Sequence, residues 1–507
     1  MLAPFDSPPH ALPETHIVIL PRPHALMVQL ANARNVHTPA AAPGLLDTLL
    51  NRSRMPMVPL DQVFPGKIQE HPISAKQGDV KVTTFPSGMK VITKDVVTPM
   101  FEAAAFVDVG SRYEPAQYAG ITNFLERMLL KSTTNRSAFR FTREMGRTST
   151  EVSTQTTRDS FAMKISAPAD SADIAVGTLA DLLKNPAFLE GERQQESHSY
   201  LDDVKETLKA VDIRVNEMFL EAAYSGKSLG KPLYGNATSI HNMTSPVLFT
   251  WFNNFFTPDR MVFSAVGVDH EAFASTIGEL FEGTRKPSPH VAELAEPAVY
   301  TGGEVRQTEG DYEGLTHIAL GFQSPNWTDA KGVATLTVLQ TLLGGGSSFS
   351  SGGPGKGMCS RLHKEVLSNP EVESALSFSS IFNDSGVFGI YGVTTPNNAE
   401  NFTYEIVKQF QKLNTISTEE LERAKKQTIS NCLTAVEIRA ALVEEMGRNI
   451  MSFGEFKFPQ ILNLIKEVTA KDIQALAEKM VRTAPTLATF GNAAKVPRYD
   501  VIASKFK

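Results

Sequence analysis

Histidines four residues apart on a helix can bind zinc, because that spacing places both imidazoles on one face with room for a glutamate base between them. The 507-residue chain has 11 histidines, and no two of them lie closer than six residues. The sequence therefore predicts no local zinc signature. A site assembled from distant histidines stays open, but solvated or helix-capping histidines are the simpler interpretation.

Motifs for phosphate binding and for a serine nucleophile are incomplete. Gly355-Lys356 is followed by Gly357 and preceded, five residues before Gly355, by Ser350, so the pattern of a Walker A loop is absent. Phe349 stands where the last glycine of a G-x-S-x-G turn would be. No dinucleotide fingerprint follows a predicted strand. The sequence thus gives no basis for nucleotide chemistry or for serine hydrolysis.

Cysteine chemistry is also poorly supported. The chain has two cysteines, Cys359 and Cys432, whereas secreted proteins held by disulfides have many more, so we expect a reducing compartment. His363 lies four residues after Cys359, and an imidazole there could activate a thiolate. A small buried cysteine at the start of a helix is the commoner case, and we assign no catalysis to the pair.

The composition is that of a folded, weakly acidic protein. Apolar residues make up 42% and charged residues 21% of the chain, which is enough to bury a core. Lysine and arginine number 49 against 55 acidic residues, a net charge of −6 that gives no reason to expect a nucleic acid partner. No apolar run approaches the ~18 residues that span a bilayer. We therefore expect no transmembrane segment.

Residues 344–357 are the most unusual segment, with seven glycines and four serines. Each glycine loses extra backbone entropy on ordering, so we expect a mobile loop and neither helix nor strand. A flexible connector is one interpretation. Such length inside a domain, however, favours contact with an extended peptide through exposed backbone groups. The predicted contact residues are Gly344, Gly345, Gly346, Ser347, Ser348, Phe349, Gly352, Gly353, Gly355, Lys356 and Gly357.

In the first half of the chain, the sequence predicts strands that alternate with helices. Residues 80–85 and 89–93 flank a Pro-Ser-Gly turn and predict a hairpin. Residues 101–109 and 261–268 predict two further strands. Residues 191–224 predict one long helix.

The second half repeats this order of elements. Residues 316–323 predict a strand and residues 331–343 a helix. The pattern Ser417-x-x-Glu420 predicts a capping box at the start of a long helix, and Thr469-x-x-Asp472 predicts another. A late strand is expected at 486–491. Two halves of similar order predict an α+β fold with an internal duplication.

The expected domain organisation has four parts: an N-terminal arm at 1–75, a domain at 76–283, a linker at 284–303 and a domain at 304–507. The first 60 residues hold 10 of the 30 prolines and no lysine. That composition fits either a targeting sequence or an extended arm that wraps a partner. The linker is rich in proline, alanine and glutamate.

Five segments carry a resemblance to a known family. They are GSRYE at 110–114, FLERM at 124–128, the glycine-rich run at 344–361, IFNDSG at 381–386 and PRYDVIASKF at 497–506. The chain resembles the α subunits of the mitochondrial processing peptidase family, most closely those of plants and green algae, from about residue 76 to the end. The resemblance implies two homologous domains, each a mostly antiparallel sheet covered by long helices, as in LuxS-like metallohydrolases.

The resemblance also implies where chemistry has been lost. The family belongs to the inverted-motif zinc peptidases (M16), whose active β subunit carries H-x-x-E-H on a helix. Here those positions are Asn123, Glu126 and Arg127, and the distant acidic ligand falls near Asp203. A carboxamide is a poor ligand and a guanidinium repels zinc, so Glu126 has no metal-bound water to deprotonate. The resemblance implies no catalytic residue, metal or cofactor in this chain, with zinc in the β partner.

The expected function follows from the same resemblance. A non-catalytic, substrate-recognising subunit pairs with the β subunit and helps to cleave presequences, which are basic and suit a mildly acidic cavity. The expected location is the matrix side of the inner mitochondrial membrane, as a core subunit of respiratory complex III beside cytochrome b and cytochrome c1. The alternative is a purely structural core subunit of ubiquinol cytochrome c reductase. An independent metallopeptidase is rejected.

Overall fold

The structure, a computed structural model, describes residues 78–285, 291, 294, 296–308, 314–347 and 359–506. The described residues belong to one compact unit. The predicted arm at 1–75 and part of the predicted linker at 284–303 lie outside them. So do the predicted contact residues Ser348, Phe349, Gly352, Gly353, Gly355, Lys356 and Gly357.

The strands of the described residues form two sheets of six strands each. The strands of the first sheet are β1 (Val80–Thr84), β2 (Lys90–Lys94), β3 (Met100–Val107), β4 (Glu151–Thr156), β5 (Phe161–Pro168) and β6 (Met261–Val266). Those of the second are β7 (Gly303–Gln307), β8 (Thr316–Gln323), β9 (Gly345–Ser347), β10 (Val372–Ile381), β11 (Gly386–Thr394) and β12 (Thr486–Gly491).

The helices lie between these strands and cover the sheets. In the first half they are α1 (Ile121–Met128), α2 (Ala138–Thr148), α3 (Ala172–Lys184), α4 (Glu190–Thr207), α5 (Val211–Ala223), α6 (Ala237–Asn242), α7 (Ser245–Phe255) and α8 (His270–Phe281). In the second half they are α9 (Ala330–Leu343), α10 (Ala399–Gln411), α11 (Thr418–Glu437), α12 (Arg439–Phe453), α13 (Phe458–Glu467), α14 (Ala470–Val481) and α15 (Tyr499–Ser504). Throughout the described segments, every helix is too short or too polar to cross a bilayer.

The two sheets share a topology, which confirms the predicted α+β class and duplicated order. The first has the order β1-β2-β6-β3-β5-β4 and the second β7-β12-β8-β11-β10-β9. In the first, only β2 and β6 are parallel neighbours, and in the second only β7 and β12 are. Five strands of each sheet therefore correspond, with β1 added at one edge of the first and β9 at the opposite edge of the second.

Residues 191–224 form two helices, so the prediction of one long helix is wrong. α4 ends at Thr207 and α5 begins at Val211, with Ala210 in an extended conformation between them. The break has a packing reason. Val204 of α4 lies in the core beside the first sheet, whereas Val215 of α5 lies in a cluster with residues of the second sheet. One straight apolar stripe cannot serve both cores.

The two halves exchange helices across their boundary. α5 of the first half packs on the second sheet, where the Phe219 ring meets the Phe378 ring edge-on at 5.1 Å between centroids. α12 of the second half packs on the first sheet. Gly447 of α12 lies so close to Phe106 of β3 that an added Cβ would come within 2.1 Å of the ring. Each sheet therefore completes its second hydrophobic face with a helix from the other half.

The start of the glycine-rich segment is a strand, which corrects the expectation of a loop. Gly345–Ser347 form β9 and pair antiparallel with residues 374–376 of β10. The backbone ladder outweighs the entropic cost of ordering glycine here. Glycine is also required at this point, because Gly345 has φ of 116° and a Cβ there would meet the Ala375 carbonyl oxygen at 2.1 Å.

Candidate functional site

Helix α1 presents three of the residues that the resemblance places at the lost zinc site. The helix begins after Gly120, whose φ of 83° lies in the left-handed region that glycine adopts readily. Phe124 on its inner face is fully buried. Asn123, Glu126 and Arg127 consequently lie together on the half-buried outer face.

A buried carboxylate holds the N-terminus of α1. Glu114 accepts hydrogen bonds from the backbone N–H groups of Gly120 at 2.6 Å and Thr122 at 2.9 Å. Burial raises the pKa of Glu114 to about 7, although these hydrogen bonds and the charge of Lys231 act in the opposite direction. The position of α1 therefore depends on a group that ionises near neutral pH.

Asn123 takes part in a chain of hydrogen bonds. Its side-chain Nδ2 donates to Glu126 Oε1 at 2.9 Å, and its Oδ1 accepts from the Tyr200 hydroxyl at 2.8 Å. The same hydroxyl accepts from the backbone N–H of Gly235 at 3.0 Å. Burial raises the pKa of Tyr200, which keeps the hydroxyl protonated and able to donate. These hydrogen bonds connect α1 through α4 to the loop before α6.

Arg127 is held by carboxylates of α4. Its guanidinium donates to Asp203 Oδ2 at 2.6 Å and lies 4.0 Å from Glu196 Oε2. Glu196 also pairs with Lys131 at 2.6 Å. The guanidinium further lies over the Tyr200 ring, 5.6 Å from its centroid. Both acidic groups are thus neutralised by side chains of this chain.

These residues do not fit a zinc ion. Zinc sites in proteins use imidazole, thiolate and carboxylate ligands, and two of the four positions here carry a carboxamide and a permanent cation. Over the ranges that the structure describes, no group of three or more His, Cys, Asp or Glu side chains is placed to hold a metal. The arrangement orients α1 against α4 and supplies no activated water.

The structure brings Asn123, Glu126, Arg127 and Asp203 together on the facing sides of α1 and α4. Gly344–Ser347 lie in the other half, against β10 and Ser360, whose hydroxyl accepts from the Gly345 N–H at 3.3 Å. Sequence reasoning missed Glu196 and Tyr200. A signal for them existed, because Glu196, Tyr200 and Asp203 are spaced i, i+4 and i+7 and therefore share one face of α4.

A second polar region joins the two halves. Arg112 forms a two-bond pair with Asp384, with distances of 3.0 Å and 2.6 Å, and also donates to the Glu296 carbonyl. The pair links two of the segments that carry the family resemblance, 110–114 and 381–386. Burial acts to raise the pKa of Asp384, but the bonds from Arg112 and from the Ala298 N–H hold it below its ordinary value.

A cavity of about 910 Å³ lies between the halves, and Asn383, the residue before Asp384, lines it. Its walls include the β4–β5 turn and residues of α11, α12 and α13. Arg158 of the turn is buried and donates to Glu217 at 2.8 Å. Burial raises the pKa of the neighbouring Asp159 to about 6. None of the lining residues belongs to α1.

Comparison with known proteins assigns the family. Residues 90–237 match the model described as Insulinase (Peptidase family M16), and residues 242–428 match Peptidase M16 inactive domain. The "Probable mitochondrial-processing peptidase subunit alpha-1, mitochondrial" of Arabidopsis thaliana is 35% identical over 476 residues, covering 93% of each chain. The chain belongs to the mitochondrial-processing peptidase α-subunit family.

Other relatives of this family agree. The mitochondrial-processing peptidase subunit alpha of Solanum tuberosum is 36% identical over 91% of this chain and 89% of its own. That of Homo sapiens is 29% identical over 88% and 89%. A chain of the solved structure "Complex III2 from Candida albicans, Inz-5 bound" shares the fold at a TM-score of 0.71 and 17% identity, over 84% of this chain and 100% of that one.

The family matches and the polar contacts at α1 concern different parts of the chain. The match to an inactive domain covers residues 242–428, whereas the Asn123–Glu126 and Arg127–Asp203 contacts lie in the range 90–237. The motif segments 110–114 and 381–386 meet in the Arg112–Asp384 pair, so part of what identifies the family is a structural joint.

Proposed function

We propose that this chain is the non-catalytic, substrate-recognising α subunit of a mitochondrial processing peptidase. In this role it pairs with a zinc-bearing β subunit, and the two together cleave presequence peptides. The names of the relatives at 35% and 36% identity support the assignment. The duplicated strand order supports the division into domains at 76–283 and 304–507, preceded by an arm at 1–75 and joined by a linker at 284–303.

The observation that carries this proposal is the ion pair at α1. In an H-x-x-E-H site, positions 123 and 127 would both be imidazoles. Here Arg127 is a cation that pairs with Asp203 at 2.6 Å, and Asn123 donates to Glu126 at 2.9 Å. Both carboxylates therefore have partners within the chain, which supports a heterodimer in which the β subunit supplies the zinc.

The glycine-rich segment is the proposed point of presequence contact. Gly345–Ser347 pair with β10, which anchors the start of the segment in the second sheet. The remaining contact residues belong to 348–357. Backbone groups with little side-chain bulk suit an extended peptide of variable sequence, which is what presequences require of a receptor.

The proposed location is the matrix side of the inner mitochondrial membrane, with the chain built into complex III as a core subunit beside cytochrome b and cytochrome c1. The fold shared with a chain of a complex III structure makes this placement reasonable. A purely structural core role without processing is the competing reading, and it predicts the same fold.

Reconstitution tests the catalytic part of the proposal. The chain and its β subunit are purified separately and mixed, and cleavage of a fluorogenic presequence peptide is followed. We expect cleavage only when both are present, with zinc found in the β subunit. Cleavage by this chain alone, or one tightly bound zinc per chain, would overturn the proposal.

A deletion of residues 348–357 tests the recognition part while leaving β9 intact. We expect kcat/KM for presequence cleavage to fall at least about tenfold, since the peptide loses part of its positioning. The heterodimer should persist in size-exclusion chromatography. As a control for the shortening of the chain, residues 348–357 are replaced by an alternating glycine-serine segment of the same length. Unchanged kinetics in the deletion would make the segment a connector.

Membrane extraction separates the two roles. Mitochondrial membranes are solubilised in mild detergent, and complexes are resolved on native gels. Comigration with cytochrome b together with peptide cleavage by that complex supports the dual role. Comigration without any cleavage supports the structural role alone, and a soluble heterodimer as the sole form removes complex III from the proposal.

A further inference from the structure

Helix α2 presents an unusual surface that the proposed function does not use. Its outward positions are Phe139, Thr142, Arg143, Gly146 and Arg147, spaced i, i+3, i+4, i+7 and i+8, and all five are exposed. Phe139 is 78% exposed, the largest value of any aromatic side chain among the exposed apolar residues that the structure describes. An aromatic ring and two guanidinium groups therefore share one open stripe.

The charge of this stripe opposes that of the whole chain. Residues 136–147 hold four arginines and one glutamate, a local charge of +3 in a protein of net charge −6. Glu144 forms ion pairs with Arg136 at 3.1 Å and with Arg140 at 2.7 Å. Across the described residues, Arg143 and Arg147 have no ion pair. Two cations of the stripe thus face solvent without an ion-pair partner in the part of the chain that the structure describes.

The helix is held rigidly, so the stripe is a fixed feature. Phe141 and Met145 on its inner face are buried in the first core. Ser137 caps the helix by accepting from the Arg140 N–H at 3.3 Å, and Ser132 Oγ accepts from the Ala138 N–H at 2.9 Å. A Cβ built on Gly146 would meet nothing within 4 Å. The outer face is therefore an open ridge.

We propose that this face of α2 docks on an anionic phospholipid surface. Arginine pairs with phosphate groups through two parallel hydrogen bonds, and a neighbouring aromatic ring can enter the boundary between headgroups and acyl chains. A convex ridge with one apolar side chain offers little to a protein partner, which needs a complementary groove and a broader apolar centre. A fluid headgroup layer adapts to a ridge, so charge and shape favour lipid over an acidic protein.

The proposal rests on α2 alone and stands whether or not the chain recognises presequences. Its test is flotation of the purified full-length chain with vesicles of phosphatidylcholine, with and without phosphatidylglycerol, at low and high salt. We expect binding to the anionic vesicles at low salt and none to the neutral ones. The double variant Arg143→Gln/Arg147→Gln should bind roughly thirtyfold less tightly, and Phe139→Ser roughly tenfold less.

A matched control removes two arginines elsewhere. Arg482 and Arg498 have side chains that are 82% and 85% exposed, and Arg482→Gln/Arg498→Gln changes the net charge equally. That variant should bind as the unmodified chain does, and all variants should keep the same unfolding midpoint. Equal loss in the control, or no loss in the α2 variants, would overturn the proposal. The chain could instead fail to float with the vesicles and bind an acidic protein in a manner that requires Arg143. That result would assign the face to a protein partner.

Discussion

Two arginine–aspartate pairs of this chain have the same shortest distance and opposite surroundings. Arg112–Asp384 and Arg127–Asp203 are both 2.6 Å long. The Arg112–Asp384 pair joins the two halves, and its side chains are 8% and 36% exposed, whereas the Arg127 side chain is 32% and the Asp203 side chain 57% exposed. The first pair connects the two halves, and the second neutralises charge on the outer face of α1. Distance alone does not distinguish the two roles, but burial does.

Breaking the buried pair should have the largest effect. Arg112→Ala leaves the Asp384 carboxylate without its guanidinium and removes the bond to the Glu296 carbonyl. We expect the free energy of unfolding to fall by about 3 kcal/mol, because removing the buried guanidinium removes two charge-assisted hydrogen bonds to Asp384 and one to the Glu296 carbonyl. Urea denaturation measures it, and a double-mutant cycle with Asp384→Ala isolates the pair. A loss below ~1 kcal/mol would place this pair in the same class as surface pairs.

Placing histidines at positions 123 and 127 of α1 should create a metal site. Asn123→His/Arg127→His places two imidazoles at i and i+4 beside Glu126, and it frees the Asp203 carboxylate. Zinc at a hundredfold excess over its Kd should then stabilise the variant by about 2.7 kcal/mol. Thermal unfolding with zinc and with a chelator measures this shift. Asn123→Ala/Arg127→Ala is the control and should not respond; no shift in the histidine variant would show that α4 is misplaced for ligation.

Glu114 extends the comparison to a buried carboxylate that has no guanidinium partner. Its folded pKa of about 7 lies above the ordinary 4.5, so its contribution to stability is full below about pH 4.5 and is lost as the pH rises through 7. Glu114→Gln cannot ionise. The free energy of unfolding of the unmodified chain, minus that of this variant, should therefore fall by something on the order of 2 kcal/mol as the pH rises across that window.

Subtracting the free energy of unfolding of Glu114→Gln from that of the unmodified chain removes the effect of other titrating groups. Asp159, whose pKa burial raises to about 6, is present in both proteins and cancels when they are compared at each pH. Urea unfolding at a series of pH values provides the measurement. A difference that does not change with pH would mean that the pKa of Glu114 is the same in the folded and the unfolded chain, and it would remove the proposed link between α1 and pH.

Removing the exposed arginine should have the smallest effect. Arg127→Ala breaks a pair in which Asp203 is more than half exposed, and solvent can hydrate the freed carboxylate. We expect the free energy of unfolding to change by less than ~1 kcal/mol, in contrast to Arg112→Ala. The two variants are compared in the same urea series. A loss above ~2 kcal/mol would make Arg127 part of the structural framework.

Local sequence patterns predicted many elements because their causes are local. The hairpin of β1 and β2 follows from a Pro-Ser-Gly turn, and Gly88 has the φ of 89° that such a turn uses. Thr469 and Asp472 form the predicted capping box. Ser417 caps α11 as expected, accepting from the Glu420 N–H at 3.2 Å. The second half of that box is replaced, because the Glu420 carboxylate pairs with Arg361 at 2.6 Å.

Local sequence patterns did not predict other elements, because these elements depend on contacts with distant segments. β4 has the sequence EVSTQT, with a single apolar residue, and its pattern alone does not indicate a strand. It is a strand because β5 pairs along its whole length and α1 packs against it, with Thr154 Oγ1 donating to the Glu126 carbonyl at 3.2 Å. The strand at Gly345–Ser347 was missed for the same reason, since its partner in β10 supplies the ladder.

The amino-acid order by itself determined that positions 123 and 127 carry no imidazole, so α1 does not offer a metal two histidines at i and i+4. That conclusion depends only on which side chains are present. Tertiary structure decided the rest. Arg127 meets Asp203 across 76 positions of sequence, and Arg112 meets Asp384 across 272. Pairings over such separations, and the exchange of α5 and α12 between the halves, depend on how the sheets are stacked, because burial and partner distance arise only when distant segments pack together.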